Sequence, residues 1–135
     1  MSKSNTYEND LMLFTFNATA ISGIGGNLFV SLHNADVGEA GVQTTSEISY
    51  TGYARISVPR DNTGWTVVDN NAVNAAQIQF ANCTGGTDTA THWAIGTAST
   101  GTGKVLYKGA LNSSLAISLN IQPIIGAGAL SITED

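Results

Sequence analysis

The 135-residue chain has a mass of 14.0 kDa, a length that fits one domain able to bury a core without disulfide staples. Hydrophobic residues make up 42%, which excludes a disordered chain, yet charged residues make up only 11%, against roughly 25% in average soluble proteins. The net charge is −5 and the basic residues Lys3, Arg55, Arg60, Lys104 and Lys108 are scattered, so the clustered positive charge that nucleic acid or an anionic membrane would require is missing.

Ser, Thr, Asn and Gly supply most of the polar surface instead. Covering such a surface carries a small desolvation penalty, so it suits permanent packing against neighbours. Cys83 is the only cysteine, which excludes an intrachain disulfide and a cysteine-type zinc cluster; a lone thiol of this kind is expected to be buried. No apolar run approaches the roughly 20 residues of a membrane-spanning helix. The polar start MSKSNTYEND lacks the basic and then apolar pattern of a secretory signal, so assembly in a cytoplasm is expected. On that expectation the sequons at Asn17, Asn82 and Asn112 carry no glycosylation meaning.

In chain order, residues 6–17 predict the single helix. Thr6 stands as its cap, acidic residues follow in the first turn, and Tyr7, Leu11, Phe14 and Ala18 fall on one face. SGIGG at 22–26 ends it. The period then changes to two, with predicted strands at 27–34, 51–58, 64–68, 76–80, 91–98, 104–111, 114–121 and 128–134. Turn-rich pieces separate them, among them PRDNTG, DNNAVN, NSS and QPIIGAG (122–128), and Thr100–Gly103 reads as a tight hairpin turn. In the 51–58 strand, Ala54, Ile56 and Val58 should face the core and Tyr53 and Arg55 the other side. No connection is long and periodic enough for a crossover helix. The expected fold is therefore one all-β domain over residues 1–135, a mainly antiparallel, jelly-roll-like sandwich with one short N-terminal helix. The loop 34–47, with Asp36, Glu39 and Glu47, is the candidate outward contact surface.

No motif names a reaction. His33 and His92 lie near Asp36 and Asp88 in sequence, but the spacing matches no metal-ligand pattern, and both read as surface or rim residues. A Gly-x-Ser-x-Gly elbow is absent, and Asp36, Glu39, Asp61, Asp69 and Asp88 read as solvated loop carboxylates rather than a glycosidase pair. The glycines at 22–26 lie between helix and strand, the reverse of a phosphate loop. Trp65 and Trp93 fit a core role better than a sugar platform, since Trp93 alternates with Ile95. Tyr50 and Tyr53 flank Gly52, which suits a bend or close approach, and Arg55 can meet Tyr53 or an acidic neighbour. These residues are expected to pin the loop 34–47 to the sandwich or to meet an adjacent subunit. No catalytic, cofactor or metal residue is assigned.

The ordered pieces NLFVSLHNADVGEAG, EISYTGYARISV, NAAQIQFANCTGG, THWAIGTASTGTGKVLYKGAL and GALSITED resemble a family of small tailed-bacteriophage virion proteins, over roughly residues 8–135. The resemblance marks Gly52, Tyr53, Ala54 and Arg55 as a family motif, with Thr91, His92, Trp93, Tyr107 and Gly109. It implies a structural, non-enzymatic role in the virion and transfers no catalytic residue. The leading expectation is a capsid decoration protein, bound in many copies to the major capsid protein or another virion protein as a trimer or dimer. The alternative is a tail-fibre-associated module whose loops 34–47 and 82–90 meet a host glycan or receptor.

Overall fold

The structure is a computed structural model that describes residues 1–135, in ten strands and one helix. The strands are β1 (Ser2–Lys3), β2 (Asn27–His33), β3 (Ile56–Pro59), β4 (Trp65–Val68), β5 (Asn71–Asn74), β6 (Ile78–Gln79), β7 (Asp88–Gly96), β8 (Val105–Ile117), β9 (Ile124–Ile125) and β10 (Ser131–Thr133). A five-stranded antiparallel sheet has the order β1-β8-β7-β2-β3, a three-stranded sheet the order β10-β5-β4, and β6 pairs with β9. The all-β class with one helix is as expected; the strands divide five, three and two rather than into the two four-stranded sheets of a jelly roll.

Two-residue periodicity decides what the large sheet buries. Val30 lies opposite Ile95 and Leu32 opposite Trp93, so one face presents a continuous apolar surface. Trp65 of β4, Ile78 of β6 and Leu130 and Ile132 beside β5 close over it, and Phe80, Cys83, Ile48 and Tyr50 complete one core of fifteen buried residues. Cys83 is fully buried, as expected of a lone thiol. Trp93 lies across Gly109 on the neighbouring strand: a Cβ there would come within 2.6 Å of the indole, so the glycine is a packing requirement.

The helix α1 spans Asn5–Asn17, and its cap is Ser4, not Thr6. The Ser4 hydroxyl accepts from the Tyr7 N–H at 3.2 Å and donates to the Val105 carbonyl, so one buried side chain both caps the helix and ties its start to β8. Ala18, in the left-handed region, ends the helix four residues before SGIGG. Tyr7 and Leu11 are half-buried on the expected face, but Phe14 is 57% exposed, and no residue of α1 is buried.

Several expectations fail for local reasons. Residues 51–55 are not strand; Gly52, at φ 102°, turns the chain, β3 begins at Ile56, and Ala54 is exposed. DNNAVN contains β5, the central strand of the small sheet, because Asn71 and Asn74 bond through their side chains to the β10 region and the 126–130 turn. NSS is not a turn. Strand β8 runs through it, and four of its residues, 111–114, bulge opposite the single Thr91. QPIIGAG holds β9, which pairs with β6. The Thr100–Gly103 turn sits inside a longer connection between β7 and β8.

If the Trp93–Ile95 row is the core, Trp93→Ala and Ile95→Ala should each destabilise the fold by about 3 kcal/mol in urea unfolding. An unchanged midpoint for both would place the register on the wrong face.

Candidate functional site

The loop 34–47 keeps Asp36 and Glu39 exposed but is anchored along its length. It lies on the second face of the large sheet, where Val37 packs with Ala94 and Val105, and Ser31 and His33 are fully buried beneath it. Gln43 is the plug. Its backbone N–H donates to the Gly103 carbonyl at 3.0 Å, its side-chain oxygen accepts from the Ala98 N–H at 2.9 Å, and a Cβ on Gly96 or Gly103 would overlap it.

Arg55 fastens the end of this loop. Its Nε and Nη2 donate to the two Glu47 oxygens at 2.8 and 2.7 Å, a bidentate pair. Nη1 donates to the Ala98 carbonyl at 2.9 Å and Nη2 to the Gly101 carbonyl at 2.7 Å, which takes in the β7–β8 connection. The Tyr53 hydroxyl donates to Glu47 at 2.8 Å and accepts from the Leu32 N–H at 3.2 Å. That N–H lies just past the point where β3 stops pairing with β2, so the phenol stands in for a missing strand partner. Burial, with the Glu47 carboxylate second, holds the Tyr53 phenol far above its ordinary range, which keeps it a donor. Tyr50 meets Tyr53 edge-on at 5.5 Å, and its hydroxyl donates to the Ala81 carbonyl at 2.7 Å. The Arg55 side chain is 3% exposed and that of Glu47 14%. Arg55 and Tyr53 thus both hold Glu47, at the end of the loop, while Tyr50 bonds to Ala81.

The other acidic residues of the loop turn back on the sheet. Lys108 pairs with Asp36 at 3.1 Å and with Glu39 at 3.0 Å, and Ser2 donates to Glu39 at 2.9 Å. Hydrogen bonds from the Gly38 N–H and then Lys108 hold the Asp36 carboxyl below its usual range; Lys108 and then Ser2 do the same for Glu39. His33 is fully buried, not a rim residue. Its Nδ1 lies 2.8 Å from the Thr45 carbonyl, which can only accept, so Nδ1 carries the proton and Nε2 accepts from Ser31 at 2.8 Å. His92 is the register partner of His33 and is half-buried, its Nδ1 against the Thr91 hydroxyl at 2.8 Å. Although the two histidine strands meet, no three His, Cys, Asp or Glu side chains are grouped to hold a metal ion. Asp61 is engaged by its own turn, through Thr63 and Gly64, and Asp88 accepts from the Ser49 and Thr89 N–H groups.

Sequence reasoning missed an open cleft of about 600 Å³ where the large and the three-stranded sheets part at one end. Leu28, Ile95 and Tyr107 form one wall, and Trp65, Val67 and Ile132 the other. The Tyr107 hydroxyl donates to Glu134, which also pairs with Lys3 at 2.8 Å, and the Tyr7 ring meets Tyr107 edge-on at 5.5 Å. The buried Trp65 indole N–H has no acceptor within the chain. Strand periodicity finds the wall residues but gives no sign that the sheets diverge there.

A protein-family model described as podophage GP4 fiber I protein gp80 matches residues 2–133. No curated protein matches the chain.

Removing Arg55 leaves Glu47 buried beside a phenol, so Arg55→Ala should cost about 3 kcal/mol or more in urea unfolding. Arg55→Lys should recover little, since an ammonium cannot form the bidentate pair and reach both carbonyls. A loss below about 0.5 kcal/mol for Arg55→Ala would show that solvent replaces the clamp.

Burial holds the His33 pKa below its ordinary 6.5, with the Thr45 hydrogen bond opposing. The unfolded chain then takes up this proton more readily, so the stability His33 contributes is complete above 6.5 and is lost as the pH falls toward the folded value. Between pH 7 and 5 the wild-type urea midpoint should fall more steeply than that of His33→Gln. Parallel slopes would mean that His33 titrates normally.

Proposed function

The chain belongs to the podophage GP4 fiber I protein family, and from that premise we propose that it is a non-catalytic subunit of the fibre apparatus of a phage virion. As a member it is a structural protein of the bacteriophage virion. The observation that carries the finer reading is the use made of its charges. Lys3, Arg55, Lys104 and Lys108 are all engaged with carboxylates of the same chain, so apart from Arg60 and a few carboxylates the outer surface is one of Ser, Thr, Asn and Gly with exposed apolar side chains among them. A surface of that kind favours lasting protein–protein contact over reversible binding of charged ligands. The one serine hydroxyl that faces a histidine, Ser31 on His33, is fully buried together with it beneath the loop 34–47, where no substrate reaches, which supports a role without chemistry.

A second reading, capsid decoration, draws on the make-up of residues 1–135, one helix of 13 residues and otherwise short strands, with no coiled-coil or collagen-like repeat among them. In the fibre reading the partners are other tail proteins and, at an exposed end, a host receptor or glycan. In the decoration reading the partner is the major capsid protein. Assembly in either case takes place in the host cytoplasm.

Gold-labelled antibody fragments on intact virions, viewed by electron cryo-tomography, separate the two. Label confined to the tail region is expected. Label spread over the head in many copies would overturn the fibre reading in favour of decoration.

A further inference from the structure

We infer that two copies of the chain join about a twofold axis, the outer edge of β4 in one pairing antiparallel with the outer edge of β4 in the other. The two small sheets then run on as one sheet across the dimer.

Among the edge strands of the two larger sheets, β4 alone has four residues without proline, charge or bulge. β1 has two residues, β10 three, and β3 closes with Pro59. Its only strand partner is β5, and Thr66, Val67 and Val68 are all exposed. Val67 is 67% and Val68 63% exposed, and side chains alternate along a strand, so an apolar side chain stands in water on each side of the edge.

The backbone selects the occupant. The Gly64 carbonyl accepts from the Ala75 N–H at 2.9 Å, which sets the alternation of the β4–β5 ladder. Thr66 and Val68 therefore turn their N–H and C=O toward β5. The groups that point away are the Trp65 carbonyl, the N–H and C=O of Val67, and the Asp69 N–H, none of them bonded within the chain. The Trp65 N–H, also outward, is already held by the Asp61 carbonyl at 3.0 Å.

A second copy, antiparallel and centred on Val67, matches this set without remainder. The two Val67 residues exchange a pair of hydrogen bonds, and each Asp69 N–H donates to the Trp65 carbonyl opposite. Sliding the register by two residues loses half of these bonds, because the Trp65 N–H is taken and the chain turns at Asp69, with φ 53°. The side chains agree with the backbone. Val67 meets Val67 on the Trp65 side of the sheet, and Thr66 meets Val68 on the other, β-branched pairs that suit an antiparallel ladder. The strand carries no charge, and the two Asp69 residues stand about 13 Å apart along it, so like charges are not opposed. Such a contact is isologous and closes at two copies. It holds wherever in the virion the protein sits.

The test is sedimentation velocity on the full chain over a concentration series, with urea midpoints at low concentration as the folding control. Wild type should form a dimer. Val67→Lys places two ammonium groups face to face on the axis, and Val67→Pro removes an N–H that β5 does not use. Both should be monomers, with the urea midpoint of Val67→Lys unchanged. Phe16→Asp, on the exposed face of the helix, should leave the dimer intact. For the register, Thr66→Cys and Val68→Cys proteins mixed under mild oxidant should cross-link to each other at least about tenfold faster than either does to itself, since only that pair lies directly opposite. A wild-type monomer at the highest soluble concentration would overturn the inference. So would a dimer that survives Val67→Lys, a dimer lost on Phe16→Asp, or cysteine variants that prefer themselves.

Discussion

The buried pair of Arg55 and Glu47 is the constraint from which the rest of the architecture hangs. Taking two charges out of water costs several kcal/mol per ion, and a lone contact between them does not return it. Here the guanidinium makes four hydrogen bonds, two to the carboxylate and two to backbone carbonyls, and the carboxylate takes a further one from Tyr53. The result joins segments far apart in sequence: the end of the loop 34–47, the approach to β3, the end of β2 and the β7–β8 connection. Apolar residues of the same volume could fill that space, but they would not fix the register of four backbone segments at once. Geometry, more than net energy, is what the pair supplies.

The remaining ion pairs act on the same plan at the surface. Lys3–Glu134 brings the two ends of the chain together, Lys104–Asp10 holds the helix to the β7–β8 connection, and Lys108 gathers Asp36 and Glu39. Lys3–Glu134 is the most solvated, contributes at most about 1 kcal/mol and is screened by salt, while Lys108 is buried and its two carboxylates are exposed. The lid over the second face of the large sheet therefore relies on Val37, Gln43 and the Arg55 clamp for its stability, with Lys108 setting where its tip rests. A chain with so few charges has placed most of its cations where they orient loops.

What the sequence made legible was the part governed by periodicity. Leu28, Val30 and Leu32, and Trp93 with Ile95, announced the large sheet and its buried face, because alternation along a strand translates directly into sidedness. The role of Arg55 was legible in outline from its spacing to Tyr53 and from the acidic residues of the preceding loop. The partner was not, since Glu47 and the carbonyls of Ala98 and Gly101 are brought together only by the tertiary fold. Strand β5 was hidden because Asn71 and Asn74 look like turn residues, while in the structure their amides bond across to neighbouring segments. The helix cap was misplaced for a similar reason: Ser4 and Thr6 are equivalent locally, and only the Val105 carbonyl on a distant strand selects between them. The loop 34–47 was legible only in its exposed acids, Asp36 and Glu39, since nothing local reveals that Gln43 fits between Gly96 and Gly103.

Edges decide how such a domain can meet others. The large sheet ends on one side in β1, two residues long, and on the other in β3, which closes with Pro59, so neither edge offers a run of free backbone groups for strand addition. The small sheet ends in β4, four residues whose last three are exposed. Assembly through backbone pairing is thus blunted at both large edges, and the exposed apolar residues lie elsewhere, on the helix, on β4 and between residues 119 and 124. The fold thus keeps its longest free backbone edges short, and its apolar exposure lies in side chains instead.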